Sequence, residues 1–433
     1  MRPELHEKLA VDGGPQAKRT PFPRRKRHGE LDKQYLCEVI DSDVLFYFLG
    51  TKVFAFQQRF AEMYDTRHCL ACSSGTAAVH IALGALEMPP GSEVITAAIT
   101  DMGSLTGILY QGLVPVFADV EPDTLNLDPE SVRRRITGKT RAILAVHHNG
   151  LAADMDGLLS IGREFGVPVV EDCAQAYLCQ YKGRLTGTMG PISAYSLNHF
   201  KHITCGSGGM VLTNDDRLRY VASLFLDKCY QREEGIRNPF LLAPNYQMTE
   251  LQGAVALAQL ERLPAVVQRR NQLGSLLDAR IADLPGVTPQ RIEAGSYHTY
   301  FQYLFRLDLA ALGCSADEFA TALTAEGVPN KAHVITGGRP VYMYDIFRNR
   351  SAFSGSAYPF ASADTGADRR YQPGDCPVAE AAFERWITMD LHEHFTDNDI
   401  EEIALGIGKV AVHFAERVSC TVGGGSTARR STP

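Results

Sequence analysis

No stretch of the 433-residue sequence holds the roughly 18 consecutive apolar residues that a membrane-spanning helix requires, and the N-terminus lacks an apolar signal core. We therefore read the chain as cytoplasmic and expect no membrane partner. Its ten cysteines (Cys37, Cys69, Cys72, Cys173, Cys179, Cys205, Cys229, Cys314, Cys376 and Cys420) keep no framework spacing, which excludes a disulfide scaffold and favours reduced, mostly buried thiols. Cys69 and Cys72 form a CxxC, but no further ligands stand at the spacing a zinc site needs, so no metal is expected. A nucleic-acid fold signature is also missing. The formal net charge is −7; residues 1–30 hold eight Lys/Arg against four Asp/Glu, so the +4 there leaves −11 for the remainder, which repels a phosphate backbone. The run Arg24, Arg25, Lys26, Arg27 reads as a solvated arm or an oligomer contact rather than a nucleic-acid site.

What is present is an ordinary globular composition, 45% hydrophobic and 21% charged, in a chain long enough for two or three domains. Residues 1–30, rich in Pro, Gly and charge, predict an irregular arm. Residues 35–60 predict two helical pieces broken at Gly50 and Thr51. From Cys69 onward β-rich runs alternate with helical ones: CLACSS then TAAVHIALGAL, EVITAAI then SLTGILYQG, PVFADV then PESVRRRI, RAILAV then GLLSIGREFG, and VPVVED. Such alternation predicts an α/β fold, a mostly parallel sheet with helices on both faces, whose ligands bind at the carboxyl ends of the strands. A large domain over residues 31–264 is expected, then a smaller α/β domain over 265–420 and a disordered tail over 421–433.

Three features sit at those strand ends. Ser74-Gly75-Thr76 stands between a strand and a helix, where a hydroxyl caps the helix and bare N–H groups hold an anion. Glu171-Asp172 ends an apolar strand, with Gln175 three residues on, and a carboxylate there costs desolvation unless it meets positive charge. Finally, YSLNHFKHITCGSGGMVLTN, residues 195–214, carries Lys201 between two β-rich runs, followed by Gly206, Gly208 and Gly209. A lysine in a strand-connecting loop, desolvated enough to be neutral, is the setting of a Schiff-base lysine. Each feature alone also fits a solvated lysine, a capped helix or a capped turn. Together they are what pyridoxal phosphate requires: an anion site for its phosphate, an acid for its ring nitrogen and a lysine for its aldehyde.

The segments SSGTAAVHIAL, PVFADVEPDTLNLDP, VHHNGLAADMD, VEDCAQA, KHITCGSGG and NYQMTELQGAVALAQLERL resemble, in order and spacing, the DegT/StrS family of sugar aminotransferases, a branch of the fold-type I pyridoxal-phosphate enzymes. The resemblance implies that Lys201 carries the cofactor, Asp172 partners the pyridinium nitrogen and Gln175 contacts the 3-hydroxyl. Gly75, Thr76, Ser74 and Ser196 would serve the phosphate, and Asn245 would reach the phosphate of the neighbouring subunit, so a homodimer with shared sites is implied. Asp101 and Met102 stand where most relatives have an aromatic ring on the pyridine; Met102 covers the ring in this reading, and Asp101 addresses substrate. His333 lies where relatives line the substrate pocket. Ser207 and Gln247 replace a usual acid and a usual arginine, which leaves the cofactor chemistry intact and the substrate open. Some relatives carry histidine at the lysine position and remove a sugar hydroxyl; here Lys201 is present between His199 and His202. The expected activity is transfer of an amino group from L-glutamate or L-glutamine to a keto-sugar or keto-cyclitol, in biosynthesis of an amino sugar or aminocyclitol. The alternatives are a pyridoxal-phosphate dehydratase and a non-catalytic cofactor-binding regulator.

Overall fold

The alternating runs become a seven-stranded sheet: β1 (His68–Cys72), β2 (Glu93–Ala97), β3 (Val114–Ala118), β4 (Thr140–Val146), β5 (Val169–Asp172), β6 (Ile192–Ser196) and β7 (Gly209–Thr213). In this computed structural model, residues 3–333, 337–363 and 365–423 are described. The strand order is β1-β7-β6-β5-β4-β2-β3, and only β7 runs against its neighbours. Apolar strands such as VPVFA, buried along their whole length, are what a sheet covered on both faces demands. Helices α1 (Glu30–Asp41) and α2 (Lys52–Met63) are the two predicted pieces, and α3 (Gly75–Gly84), α4 (Met102–Tyr110), α5 (Pro129–Arg135) and α6 (Met155–Phe165) follow strands.

Each of these four crossover helices starts on a side-chain cap. Ser74 accepts from Ala77 N–H, Asp101 from Gly103, Asp128 from Glu130 and Ser131, and Asp154 from Gly157. Capping fixes where each helix begins, so a row of helix N-termini lies along the carboxyl edge of the parallel strands.

The small sheet, β8 (Val287–Pro289), β9 (Tyr303–Leu307) and β10 (Trp386–Met389), is antiparallel and packs with the helices Ala316–Ala325 and Asp397–Gly423. The long helix Glu250–Ile281 joins the two units without a break at Pro264. Its Leu257, Leu260, Leu263 and Val267 pack with β1, β6 and β7, and its Leu273, Leu277 and Ile281 with the small sheet. Part of the segment 265–420 packs elsewhere: Tyr342, Phe347, Phe360, Tyr371 and Phe383 share the core of the large sheet. Phe117 of the edge strand β3 meets the rings of Tyr342, Phe347 and Tyr371, and the Tyr371 hydroxyl donates to Pro115 O (2.7 Å). This return covers an edge that would otherwise expose unpaired backbone groups.

The arm has two short 3₁₀ turns, Pro3–His6 and Ala10–Asp12, and is docked rather than solvated. Lys18 is buried against Asp399 and Glu402 (both 2.8 Å). In the basic run, Arg25 pairs with Glu393 (3.2 Å), and the Arg27 carbonyl accepts from Gln259 and Arg262, so these residues hold intramolecular contacts. Of the tail expected over 421–433, residues 421–423 continue the last helix, and 424–433 lie outside the described residues. Nine cysteines are described, all free, and seven of them are buried.

Candidate active site

Gly75 opens α3 against the end of β6. A Cβ at Gly75 would lie 2.4 Å from Ser196 Cβ and 2.6 Å from Ser196 Oγ, so only glycine lets the helix start this close to that hydroxyl. Ser74 Oγ is committed to Ala77 N–H (3.0 Å), and Ala78 N–H goes to Ser74 O (3.0 Å). The N–H groups of Gly75 and Thr76, ahead of them in the first turn, have no intrahelical acceptor. The neighbouring helix start closes the cradle. A Cβ at Gly103 would be 3.0 Å from both Asp101 Oδ1 and Thr76 Oγ1, so Thr76 and Asp101 flank the first turn of α4. Asp101 Oδ1 accepts from Gly103 N–H (2.8 Å), which makes it the N-cap of that helix.

Asp172 closes β5 and is buried. Its Oδ2 accepts from Ser104 Oγ (2.7 Å) and its Oδ1 from Ala174 N–H (3.0 Å). Burial pushes its carboxyl above the usual carboxylate range, against the pull of those two donors and of the Lys201 charge. Lys201 lies in the loop between β6 and β7, its ammonium over the Phe301 ring, 4.4 Å from the centroid. Burial lowers its pKa from the ordinary 10.5, against the opposing charges of Asp172 and Asp101. A lysine and an aspartate in one electric field are thus both pushed toward their neutral forms, a pattern concentrated at functional sites.

Gln175 is tied to the turn after β4. Asn149 N–H donates to Gln175 Oε1 (2.8 Å), which turns the amide NH₂ the other way. That turn has Asn149 at φ 68°, consistent with the Asn-Gly pair in its sequence, and is clamped by Phe301 N–H to Asn149 O (3.0 Å) and Asn149 Nδ2 to Gln302 O (2.7 Å). His148, in the same turn, is buried beside the Lys201 charge, and burial lowers its pKa to about 4, so the ring is neutral near pH 7. Both His148 ring nitrogens and Asn149 Oδ1 lack a partner among the described residues. Such orphaned atoms cost stability unless a ligand meets them.

Met102 is half-buried against the large core, and its carbonyl accepts from Thr106 Oγ1 (2.9 Å). Asn245 is exposed on a segment that pairs with the end of β1 through Cys72 and Gln247. No hydrogen bond among the described residues ties Asn245 to Lys201, Asp172 or Ser196. His333 is exposed, and its carbonyl accepts from Thr388 Oγ1 (2.8 Å). His202 is buried and meets Thr299 O (2.9 Å). Sequence reasoning missed Ser104, Thr100, His148, Asn149, Phe301 and Arg25. A hydroxyl on the otherwise apolar start of SLTGILY was the one local signal for Ser104. Arg25, whose guanidinium donates to the carbonyls of Lys201 and His202 (both 3.4 Å), had none.

His147, Glu171 and Cys173 bring ligand-type atoms within 4.8 Å of one another. Two of the three already have partners. His147 Nδ1 accepts from Ala153 N–H (3.1 Å), so Nε2 donates to Glu171 (3.0 Å), and the carboxylate also accepts from Gly187, Met189 and Gly190.

The model of the DegT/DnrJ/EryC1/StrS aminotransferase family matches residues 26–407. A protein of Streptoalloteichus tenebrarius, provisionally designated an L-glutamine:3-amino-2,3-dideoxy-scyllo-inosose aminotransferase, is 31% identical over 94% of this chain and 98% of its own. GDP-perosamine synthase of Caulobacter vibrioides is 30% identical over 88% and 95%. The crystal structure of an aminotransferase from Psychrobacter cryohalolentis is 28% identical, with a TM-score of 0.80 over 91% of this chain and all of that one. The chain belongs to the DegT/DnrJ/EryC1/StrS aminotransferase family, and its sheet of parallel strands edged by capped helices is the fold-type I architecture of that family.

Proposed function

We propose that this aminotransferase uses pyridoxal 5′-phosphate to move an amino group from L-glutamate or L-glutamine to a keto-sugar or keto-cyclitol, making an amino sugar or aminocyclitol. The observation that carries the reading is the convergence of a desolvated Lys201, a buried Asp172 and the bare helix start at Gly75 on one strand edge. The residues fit the cofactor. The cradle at Gly75, which a Cβ would fill, and the orphaned polar atoms of His148 and Asn149 both leave room for a polar ligand. When bound, the cofactor supplies an aldehyde that condenses with amines and a protonated ring that withdraws electrons.

The chain's own groups would act as follows. Gly75 and Thr76 N–H, with the Thr76 and Ser196 hydroxyls, hold the phosphate; Ser74 shapes that turn through its cap. Asp172 holds the proton on the ring nitrogen. Gln175, its oxygen taken by Asn149 N–H, presents its NH₂ to the 3-hydroxyl. Lys201 would hold the aldehyde at rest and, as a free amine, would take the proton from the donor Cα; burial, which lowers its pKa, favours the neutral form a base needs. Met102 offers a thioether to the ring face. Asp101, whose charge reaches both Lys201 and Tyr344, and His333 face the acceptor. The acceptor class rests on relatives that are named for a cyclitol and for GDP-perosamine.

We further infer a cytoplasmic homodimer in which Asn245 completes the partner's phosphate site. Supporting it, Asn245 is exposed, and Phe200 (71%), Phe240 (64%) and Leu242 (95%) leave large apolar surface near the Lys201 loop and the Asn245 segment. No helix among the described residues is long and apolar enough to cross a membrane. Incubation with glutamate and glutamine, followed by a panel of keto-sugars and keto-cyclitols, tests the reading. One donor must convert the cofactor to its amine form, and one acceptor must restore the aldehyde. If neither amino acid alters the spectrum, the proposal fails.

A further inference from the structure

We propose that Ser104, backed by Thr100, is the positioning residue that keeps the Asp172 carboxylate ionised and aimed at the ring nitrogen of the cofactor. The proposal rests on the role given to Asp172 above. An ionised carboxylate in a buried place needs donors or a partner charge. Asp172 forms no ion pair within 4 Å among the described residues; it is held by one backbone N–H, from Ala174 (3.0 Å), and one side-chain donor, Ser104 Oγ (2.7 Å).

The direction of that second bond is set from behind. Thr100 Oγ1 lies 2.7 Å from Ser104 Oγ, and both residues are buried. A hydroxyl has one proton to give, so while Ser104 donates to Asp172 it cannot donate to Thr100, and Thr100 is the donor of the bond between them. The chain Thr100 to Ser104 to Asp172 therefore runs toward an ionised acid, each bond polarising the next. A charged carboxylate gains more from such a donor than a protonated one, so the chain favours the ionised form. The geometry is built into the fold: Asp101 caps α4 through Gly103, which fixes the first turn of that helix and places Ser104 four residues from Thr100.

Two other side chains face Asp172, Lys201 from the β6–β7 loop and the imidazole of His147 just after β4. His147 gives its proton to Glu171 (3.0 Å), and the Lys201 nitrogen is the atom proposed to bond the cofactor. With both engaged, the hydroxyl chain is the side-chain support that stays with Asp172 throughout turnover.

The test uses holoenzyme reconstituted with pyridoxal 5′-phosphate and five variants: Ser104→Ala, Ser104→Thr, Thr100→Val, the Ser104→Ala/Thr100→Val double variant and Asp172→Ala as reference. Three quantities are read: the cofactor dissociation constant, the pH midpoint of the visible band, and the rate of the half-reaction with the amino donor. Loss of one hydrogen bond to a charged group predicts, for Ser104→Ala, a midpoint shifted by about one pH unit in the direction seen for Asp172→Ala and a half-reaction slowed about tenfold. Thr100→Val should shift both less, and should add nothing on top of Ser104→Ala, because Thr100 acts through Ser104. Ser104→Thr, which keeps the hydroxyl, should stay near the unmutated enzyme. If Ser104→Ala does not fold, Thr100→Val and Ser104→Thr still decide the matter. An unchanged midpoint in Ser104→Ala, or an additive Thr100→Val, overturns the proposal. If Asp172→Ala itself leaves the band and the half-reaction unaltered, the reading of Asp172 falls, and the Ser104 proposal with it.

Discussion

Replacing Gly75 by alanine separates the packing of the phosphate cradle from its chemistry. The added Cβ would meet Ser196 Cβ at 2.4 Å and Oγ at 2.6 Å, where carbon atoms in contact normally sit about 3.5–4.0 Å apart. Ser196 cannot retreat freely, since its strand position is fixed by pairing with Gly209. Overpacking of this kind costs about 1–3 kcal/mol, and the better helix propensity of alanine offsets roughly 0.5–1 kcal/mol of it. The apo protein should thus lose about 1–2 kcal/mol in a denaturant titration. Ser196→Gly removes both clashing atoms and leaves Ser196 Cα, at 3.2 Å, as the nearest, so the double variant should recover most of that loss. Cofactor affinity should follow a different course. It should fall in Gly75→Ala, where the helix start is displaced, and stay low in the double variant, where the Ser196 hydroxyl is gone. Two results refute the reasoning: a Gly75→Ala protein with unchanged stability, which would mean the helix does not start on Ser196, or a double variant that regains affinity, which would remove Ser196 from the phosphate site.

Glu393 is held by Arg270 and Arg25 (both 3.2 Å); burial alone would raise its pKa, but the two arginines bring it from the ordinary 4.5 to about 2. A depressed acid stabilises above its unfolded value, so this contribution is present above about pH 4.5 and lost as the pH falls toward 2; Glu393→Gln should abolish that part of the acid transition. His148→Leu should raise apo stability at pH 7 by about 1 kcal/mol, because two orphaned ring nitrogens leave the interior, and a loss instead would mean the ring has a partner. With a pKa moved from 6.5 to about 4, folded His148 resists a proton that the unfolded chain accepts, so stability should fall as the pH drops from 6.5 to 4, and by less in the leucine variant. For the shared site, Lys201→Ala and Asn245→Asp homodimers should each be nearly inactive, yet refolding the two together should restore about a quarter of the activity per site, since half the dimers are mixed and half their sites intact. A mixture that stays inactive places Asn245 in its own subunit's site.

Much of the large domain was legible because its signals are local. Apolar runs of strand length, helix caps and the glycines after Lys201 lie within a few residues of what they position, and the strands from Cys69 to Asp172 fall where the alternation puts them. The reach of the domains was less legible. Phe360 and Tyr371 belong to the large core, and the helix Glu250–Ile281 serves two cores, because burial by distant segments leaves no periodic trace in the segment itself. The support of the site was missed for the same reason. Arg25 reaches the Lys201 carbonyl across 176 positions, and Ser104 reaches Asp172 across 68. A basic run and a single serine do not declare their partners until the fold brings them together.

The most direct test of the central claim is to reduce the holoenzyme with borohydride and identify the labelled peptide. Before reduction the protein should absorb in the visible, and glutamate or glutamine should remove that absorbance. After reduction the phosphopyridoxyl group should sit on Lys201. A label on another lysine, such as Lys182 or Lys228, or a protein that binds no pyridoxal phosphate, contradicts the account.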